Sequence, residues 1–209
     1  MQNVMLRLRG TAEPTLFELG AGGEDGQPLV TEKQGGDVRL YRGWLAKAEA
    51  DALLDEIRAN ATWVQERRKM YDRFVDVPRV QAWQGDDRER PWRPRVLEVR
   101  RRLEALSGTS FSYVLFNRYR DGNDGVAWHN DREVEHLARP VIASLTLGAT
   151  RAFDLRSKSA RSKIISVDLE HGDLIVMRGE TQTNWEHRVA KNRRLAGERI
   201  NLTFRQLCE

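Results

Sequence analysis

Cysteine is nearly missing from this chain. Cys208 stands alone among 209 residues, so no internal disulfide can form, which suits a reducing compartment. Long apolar runs are missing too: the longest, such as residues 174–177, are about four residues, far short of the ~20 that cross a bilayer as a helix. Residues 1–10 carry Arg7 and Arg9 and no extended apolar segment, unlike a secretory leader. The expectation is a soluble, intracellular protein without membrane association, cytoplasmic or nucleoid-associated and working as a monomer. Internal repeats and low-complexity tracts are absent as well.

What is present describes one globular domain. The length suits a single core, and 40% hydrophobic residues is an ordinary content for a folded chain. Net charge is only +4, but its distribution is uneven. Residues 67–102 hold twelve Lys/Arg against six Asp/Glu, and residues 151–163 hold five against one. Such stretches attract phosphate, although an Arg-rich solvated surface reads the same way.

Seven of the sixteen glycines fall in the first 36 residues. Residues 1–36 therefore read as a loosely ordered lead-in with one strand at 14–19, and residues 37–209 as the domain proper. Ala46, Ala50, Leu53, Leu54 and Ile57 recur at helical spacing. A second helix is expected over 95–106, with Val96, Val99, Leu103 and Leu106 on one side and Pro94 at its start. From residue 112 the pattern changes to strands, expected at 112–119, 141–147, 152–155, 164–168, 174–177 and 199–205. Helices followed by strands give an α+β domain, with an antiparallel sheet pair or barrel braced by helices on one side.

Three constellations carry chemistry. His129-Asn130-Asp131 sets an imidazole and a carboxylate two residues apart on one side of an extended segment, and His187 follows 56 residues after Asp131. Two imidazoles and a carboxylate on one face of a metal leave positions open, as a non-haem iron(II) oxygenase needs, although His-x-Asp with a distant His also arises by chance. His136, in a charged stretch, and His171, in a tight turn, are not expected to be ligands. In residues 199–205, Ile200, Leu202 and Phe204 alternate with Arg199, Asn201, Thr203 and Arg205. An alternating strand usually turns its polar face to water, yet this face has no Lys or Glu, and two buried guanidinium groups would call for an anion such as a dicarboxylic acid. Asn117 and Tyr119 share a face ten residues before His129 and offer neutral donors, or simply cap a strand end.

Together, Asn117-x-Tyr119, His129-x-Asp131, His187 and Arg199-x-Asn201-x-Thr203-x-Arg205 resemble the AlkB family of iron(II)- and 2-oxoglutarate-dependent nucleic-acid dealkylases, over roughly residues 75–207. The resemblance implies a double-stranded β-helix, or jelly-roll, core. It implies iron(II) on His129, Asp131 and His187, and 2-oxoglutarate on Asn117, Tyr119, Arg199, Asn201, Thr203 and Arg205, the two arginines serving different carboxylates. With O2 as co-substrate, the implied activity is oxidative dealkylation of 1-methyladenine- and 3-methylcytosine-type bases in DNA or RNA. Arg79, Arg156 and Lys158 are expected phosphate grips, Trp83 and Trp92 stack on a flipped base or pack in the core, and Glu133 meets the extruded base. Trp44, Trp63, Trp128 and Trp185 are expected in or beside the core. Gln84, residues 85–93 and Arg132 depart from the family pattern, which weakens the reading of the substrate side. Two other readings stand: a related hydroxylase of a protein, lipid or small molecule, and a non-catalytic nucleic-acid-binding jelly-roll.

Overall fold

The computed structural model describes residues 26–206 apart from 71, 132–136 and 138–139. The strand expected at 14–19 lies outside the described residues, as do Glu133 and His136. In chain order the elements are β1 (Gln27–Val30), β2 (Asp37–Tyr41), α1 (Lys47–Asn60), β3 (Arg67–Met70), β4 (Arg73–Asp76), β5 (Val80–Gly85), α2 (Pro94–Ser107) and β6 (Tyr113–Tyr119). They continue with β7 (Val126–His129), β8 (Val141–Gly148), β9 (Arg151–Ser157), β10 (Ile164–Leu169), β11 (Leu174–Arg178), α3 (Thr181–Asn184), β12 (Trp185–Val189) and β13 (Arg199–Arg205). Gln27–Val30, inside the expected lead-in, pairs antiparallel with β2 as the edge of the large sheet.

Two antiparallel sheets make the body. The larger runs β1-β2-β11-β8-β13-β6-β5 and the smaller β10-β9-β12-β7, while β3 and β4 pair only with each other. This is the jelly-roll expected from the family resemblance. The larger sheet has two covered faces, so β13 is buried along its whole length. On one face Ile200, Leu202 and Phe204 join Leu53, Ile57, Val99 and Leu103 from α1 and α2 in a helix-side core. Between the sheets, Val38, Ile142, Ile175, Phe153, Leu155 and Trp185 form a second core. The helical stripes read from periodicity are the buried ones: Ala50, Leu53, Leu54 and Ile57 in α1, and Val96, Val99 and Leu103 in α2.

The turn before β11 shows how local chemistry sets this frame. Gly172 has φ +91°, and a Cβ there would stand 2.3 Å from the Leu45 carbonyl oxygen, so only glycine fits without strain. Its neighbour Asp173 accepts from the Gly43 and Glu170 amides at 2.8 and 2.9 Å. His171 accepts at Nδ1 from the Gly148 amide at 2.8 Å, a structural place for that ring.

Candidate active site

Side chains alternate across a strand, so sending Ile200, Leu202 and Phe204 to the helices sends Arg199, Asn201, Thr203 and Arg205 into the space between the sheets. All four are buried, at 2–7% exposure, and a polar face turned to water is excluded. They line a cleft of about 740 Å³ together with Asn117, Tyr119, His129, Asp131 and His187. Register explains the convergence: Arg199 stands opposite Tyr119, and Asn201 lies between Asn117 and Thr146.

The two histidines face each other across β7 and β12, with ring centroids 4.3 Å apart. One ligand atom from each of His129, Asp131 and His187 lies within 4.8 Å of the others, so the three can hold one metal ion. The Ala127 carbonyl, 2.9 Å from His129 Nδ1, can only accept. Nδ1 therefore donates there and Nε2 is the nitrogen left for a metal, the outer support that metal-binding imidazoles usually have. His187 stacks on Phe153 at 5.3 Å. Asp131 accepts from Arg205 Nη2 at 2.9 Å. Burial alone would raise its pKa, but Arg205 and the imidazoles outweigh burial and hold the carboxyl below the usual range.

His187 moves the other way. Burial, helped by His129 and Arg205 and opposed by Asp131, pushes it from 6.5 down to about 4, so it stays neutral and able to bind metal. Between those values the unfolded chain takes up a proton that the folded chain refuses. The metal-free protein should be fully stable above about pH 6.5 and lose on the order of 3 kcal/mol as pH falls toward 4. Urea denaturation across that window checks this; His187→Gln should flatten the slope, and an unchanged slope in the variant would contradict it.

The cleft also contains an unmet electrostatic demand. Arg199 donates from Nη2 to Thr146 Oγ1 at 3.0 Å, while its Nε and Nη1 are buried without a hydrogen-bond partner. Burial lowers its pKa to about 10, which leaves it charged at neutral pH. A buried cation with two nitrogens lacking an acceptor is unfavourable until an anion arrives, and a carboxylate matches the guanidinium fork. The second guanidinium, Arg205, lies beside Asp131 at the metal end. The donor set therefore fits iron(II) with a diacid: two imidazoles and one ionised carboxylate for the metal, and a buried guanidinium in the same cleft.

Other expected site residues are placed differently. Arg79 lines the cleft and donates to Asn117 Oδ1 at 2.9 Å, as does Gln81 at 2.8 Å. Gln81 has no chemical signature in the sequence; its place comes from register, opposite Asn117 on β5. Arg156 does not line the cleft: it donates twice to Glu186 Oε2, at 2.9 and 2.8 Å, and stacks 4.1 Å over Trp128. Arg188 covers the same indole at 4.4 Å. Lys158 Nζ donates to the Gln182 carbonyl at 3.1 Å. Trp83, 37% exposed, lies beneath Arg90 at 3.9 Å and lines a neighbouring hollow of about 430 Å³ that shares Arg205. Of the two readings of Trp92, the structure has core packing. It lies parallel to Phe204 at 6.2 Å on the helix side of the large sheet, where no base in the cleft could reach it.

The 2OG-Fe(II) oxygenase superfamily model matches residues 37–205. The chain is 35% identical over 186 residues to the rat alpha-ketoglutarate-dependent dioxygenase alkB homolog 3, covering 80% of this chain and 63% of the rat protein's length. It is 31% identical over 229 residues to the mouse DNA oxidative demethylase ALKBH2, covering 93% of this chain and 95% of that one. The solved structure of OsALKBH1 superposes with a TM-score of 0.61 at 18% identity, over 81% of this chain and 97% of the other. Iron(II), 2-oxoglutarate and O2 are the superfamily's cofactor and co-substrates, and they suit the donors found between the sheets. With a family model spanning most of the domain and a full-length relative above 30% identity, this chain belongs to the 2OG-Fe(II) oxygenase superfamily and, within it, to the AlkB family.

Proposed function

We propose that the protein repairs N-alkylated bases in DNA by oxidative dealkylation, acting on 1-methyladenine- and 3-methylcytosine-type lesions. The observation that carries the reading is a cluster of three side chains able to hold one metal ion and a buried guanidinium lining one cleft, which a basic hairpin borders. In this reading His129, Asp131 and His187 are the metal ligands, and Arg199, Arg205, Asn117, Tyr119, Asn201 and Thr203 form the 2-oxoglutarate slot. When bound, iron(II) with 2-oxoglutarate and O2 supplies one oxygen atom to the N-alkyl carbon, releasing succinate and carbon dioxide. The hydroxylated carbon then leaves as an aldehyde, and a positively charged base is a good leaving group for that step.

The chain's own residues bind, orient and exclude water. Arg199 neutralises one carboxylate of the diacid, and Arg205 fixes Asp131 while contributing charge to the other. Phe153, Met177, Leu115 and Val189 line the cleft and keep bulk water from the reacting carbon. The relatives' names supply the nucleic-acid side: the mouse protein is a DNA oxidative demethylase.

The surface agrees with a polyanionic substrate. The β3–β4 hairpin borders the cleft through Val75 and Asp76, and its Arg67, Lys69 and Arg73 are exposed. Phe74 is 62% exposed there, beneath the Arg67 guanidinium at 5.7 Å. An aromatic ring among cations on the lip of a cleft suits a base beside its phosphates. Changing Arg67, Lys69 and Arg73 to Gln should weaken DNA binding and reduce the log K against log salt slope by about 0.9 for each phosphate that the variant no longer neutralises. Fluorescence anisotropy over a salt series measures this, and an unchanged slope would remove the hairpin from the interface.

The function itself is tested by mass spectrometry of methylated oligonucleotides incubated with enzyme, iron(II), 2-oxoglutarate and ascorbate. Loss of one methylene mass from the lesion, with matching succinate, is expected. Succinate formation without change in any oligonucleotide would favour a hydroxylase of another substrate class.

A further inference from the structure

Asp131 sits beyond the end of β7, where no strand ladder reaches it. Its amide nevertheless has a partner: it donates to Gln182 Oε1 at 2.9 Å, in a buried setting. The preceding Asn130 donates from Nδ2 to the Gln182 carbonyl at 2.9 Å. Gln182 thus holds the segment twice, through side chain and through main chain. Gln182 is itself only 3% exposed.

Gln182 is well placed to act as a fixed post. It belongs to α3, the single turn that leads directly into β12 and His187. The turn is tied to the residues that lead into β2. Thr181 Oγ1 accepts from the Asp37 amide at 2.9 Å and donates to the Arg178 carbonyl at 2.6 Å. Asn184 Nδ2 donates to the Gly35 carbonyl at 3.0 Å, and Trp185 Nε1 to the Gln34 carbonyl at 3.1 Å. Gly36 leaves room for this packing, since a Cβ there would meet Thr181 Oγ1 at 3.1 Å.

The geometry points to Gln182 as the positioning residue of the metal centre: it locks the Asp131 segment to the turn that carries His187, so that ligands from two separate segments share one support. The inference rests on the reading of His129, Asp131 and His187 as ligands. Gln182 touches neither metal nor substrate and acts through Asp131. Without its acceptor, the buried Asp131 amide would be unsatisfied, and the Asp131 backbone would lose its tie to α3, leaving Arg205 alone to hold the carboxylate near the imidazoles. Changes in such outer supports typically weaken metal binding by about 10- to 100-fold.

The test is cobalt(II) titration of the metal-free protein, followed by ligand-field absorption, with thermal unfolding of the same samples. Gln182→Met keeps length and volume but removes the acceptor. It should bind cobalt about 10- to 100-fold more weakly while remaining folded at the titration temperature. Gln182→Glu restores an acceptor at the same reach and should recover most of the affinity. Should Gln182→Met fail to fold, Gln182→Asn, one methylene too short to meet the Asp131 amide, carries the same prediction. Wild-type affinity in the acceptor-less variant, or equal losses in Gln182→Met and Gln182→Glu, would overturn the role. His129→Ala runs in parallel: cobalt binding by that variant equal to wild type would overturn the ligand assignment, and the role of Gln182 with it.

Discussion

His129→Ala is expected to abolish 2-oxoglutarate turnover and to weaken metal binding by well over the ~10–100-fold that loss of an outer support costs. The reason is stoichiometric: His129 supplies one of three ligand atoms in the cluster, and nothing beside it among the described residues offers a replacement. The variant is also a clean probe. Its side chain is 34% exposed, so truncation opens no deep cavity and should cost roughly 1 kcal/mol of stability. His187, buried against Phe153, would mix ligand loss with a packing defect. Residual turnover in iron-loaded, folded His129→Ala protein, measured as succinate released, would reject the assignment.

Arg199→Ala is the second large effect, and it should fall on the co-substrate rather than the metal. Truncating one member of a buried, hydrogen-bonded charge pair costs ~2–5 kcal/mol, which predicts a rise in the 2-oxoglutarate KM of roughly 30- to several-thousand-fold. Iron affinity should stay near wild type, because Arg199 bonds to Thr146 and not to a metal ligand. The free protein should lose little stability, since an unpaired buried charge is removed along with its packing. Ligand-induced stabilisation should vanish with it, because it follows the logarithm of ligand concentration over Kd. Thermal shifts in iron-loaded anaerobic protein, with and without 2-oxoglutarate, separate these effects. A wild-type shift would place the diacid elsewhere. Arg205 is a poorer probe because its guanidinium also holds Asp131.

How much of this is legible in the sequence depends on whether a residue's role is local. The α1 and α2 stripes follow from helical periodicity, and strands β6, β8, β9, β10, β11 and β13 from their β-branched and aromatic content, with plain alternation in β13. Strands β3 and β4 carry Arg, Lys and Asp and pair only with each other, so they leave no apolar alternation. Strand β7 is four residues long with one edge partner, too short for a pattern. In the site, residue type tells the chemistry of His129, Asp131, His187 and Arg199. Residues 199–205 stay ambiguous until a second sheet covers their polar face. The pairing of Arg156 with Glu186, thirty residues away, leaves no local mark in the sequence. Gln182 leaves no signal at all, since its work passes through another residue's amide.

The central claim, one metal and one diacid held side by side between two sheets, is tested most directly by anaerobic titration of the metal-free protein. Iron(II) is added first and 2-oxoglutarate second, while the visible charge-transfer absorption of an iron-bound 2-oxo acid is recorded. The account predicts a band that saturates at one iron and one 2-oxoglutarate per chain, is absent in His129→Ala, and in Arg199→Ala appears only at much higher 2-oxoglutarate. A wild-type protein that develops no band, or a band that persists unchanged in both variants, would contradict it.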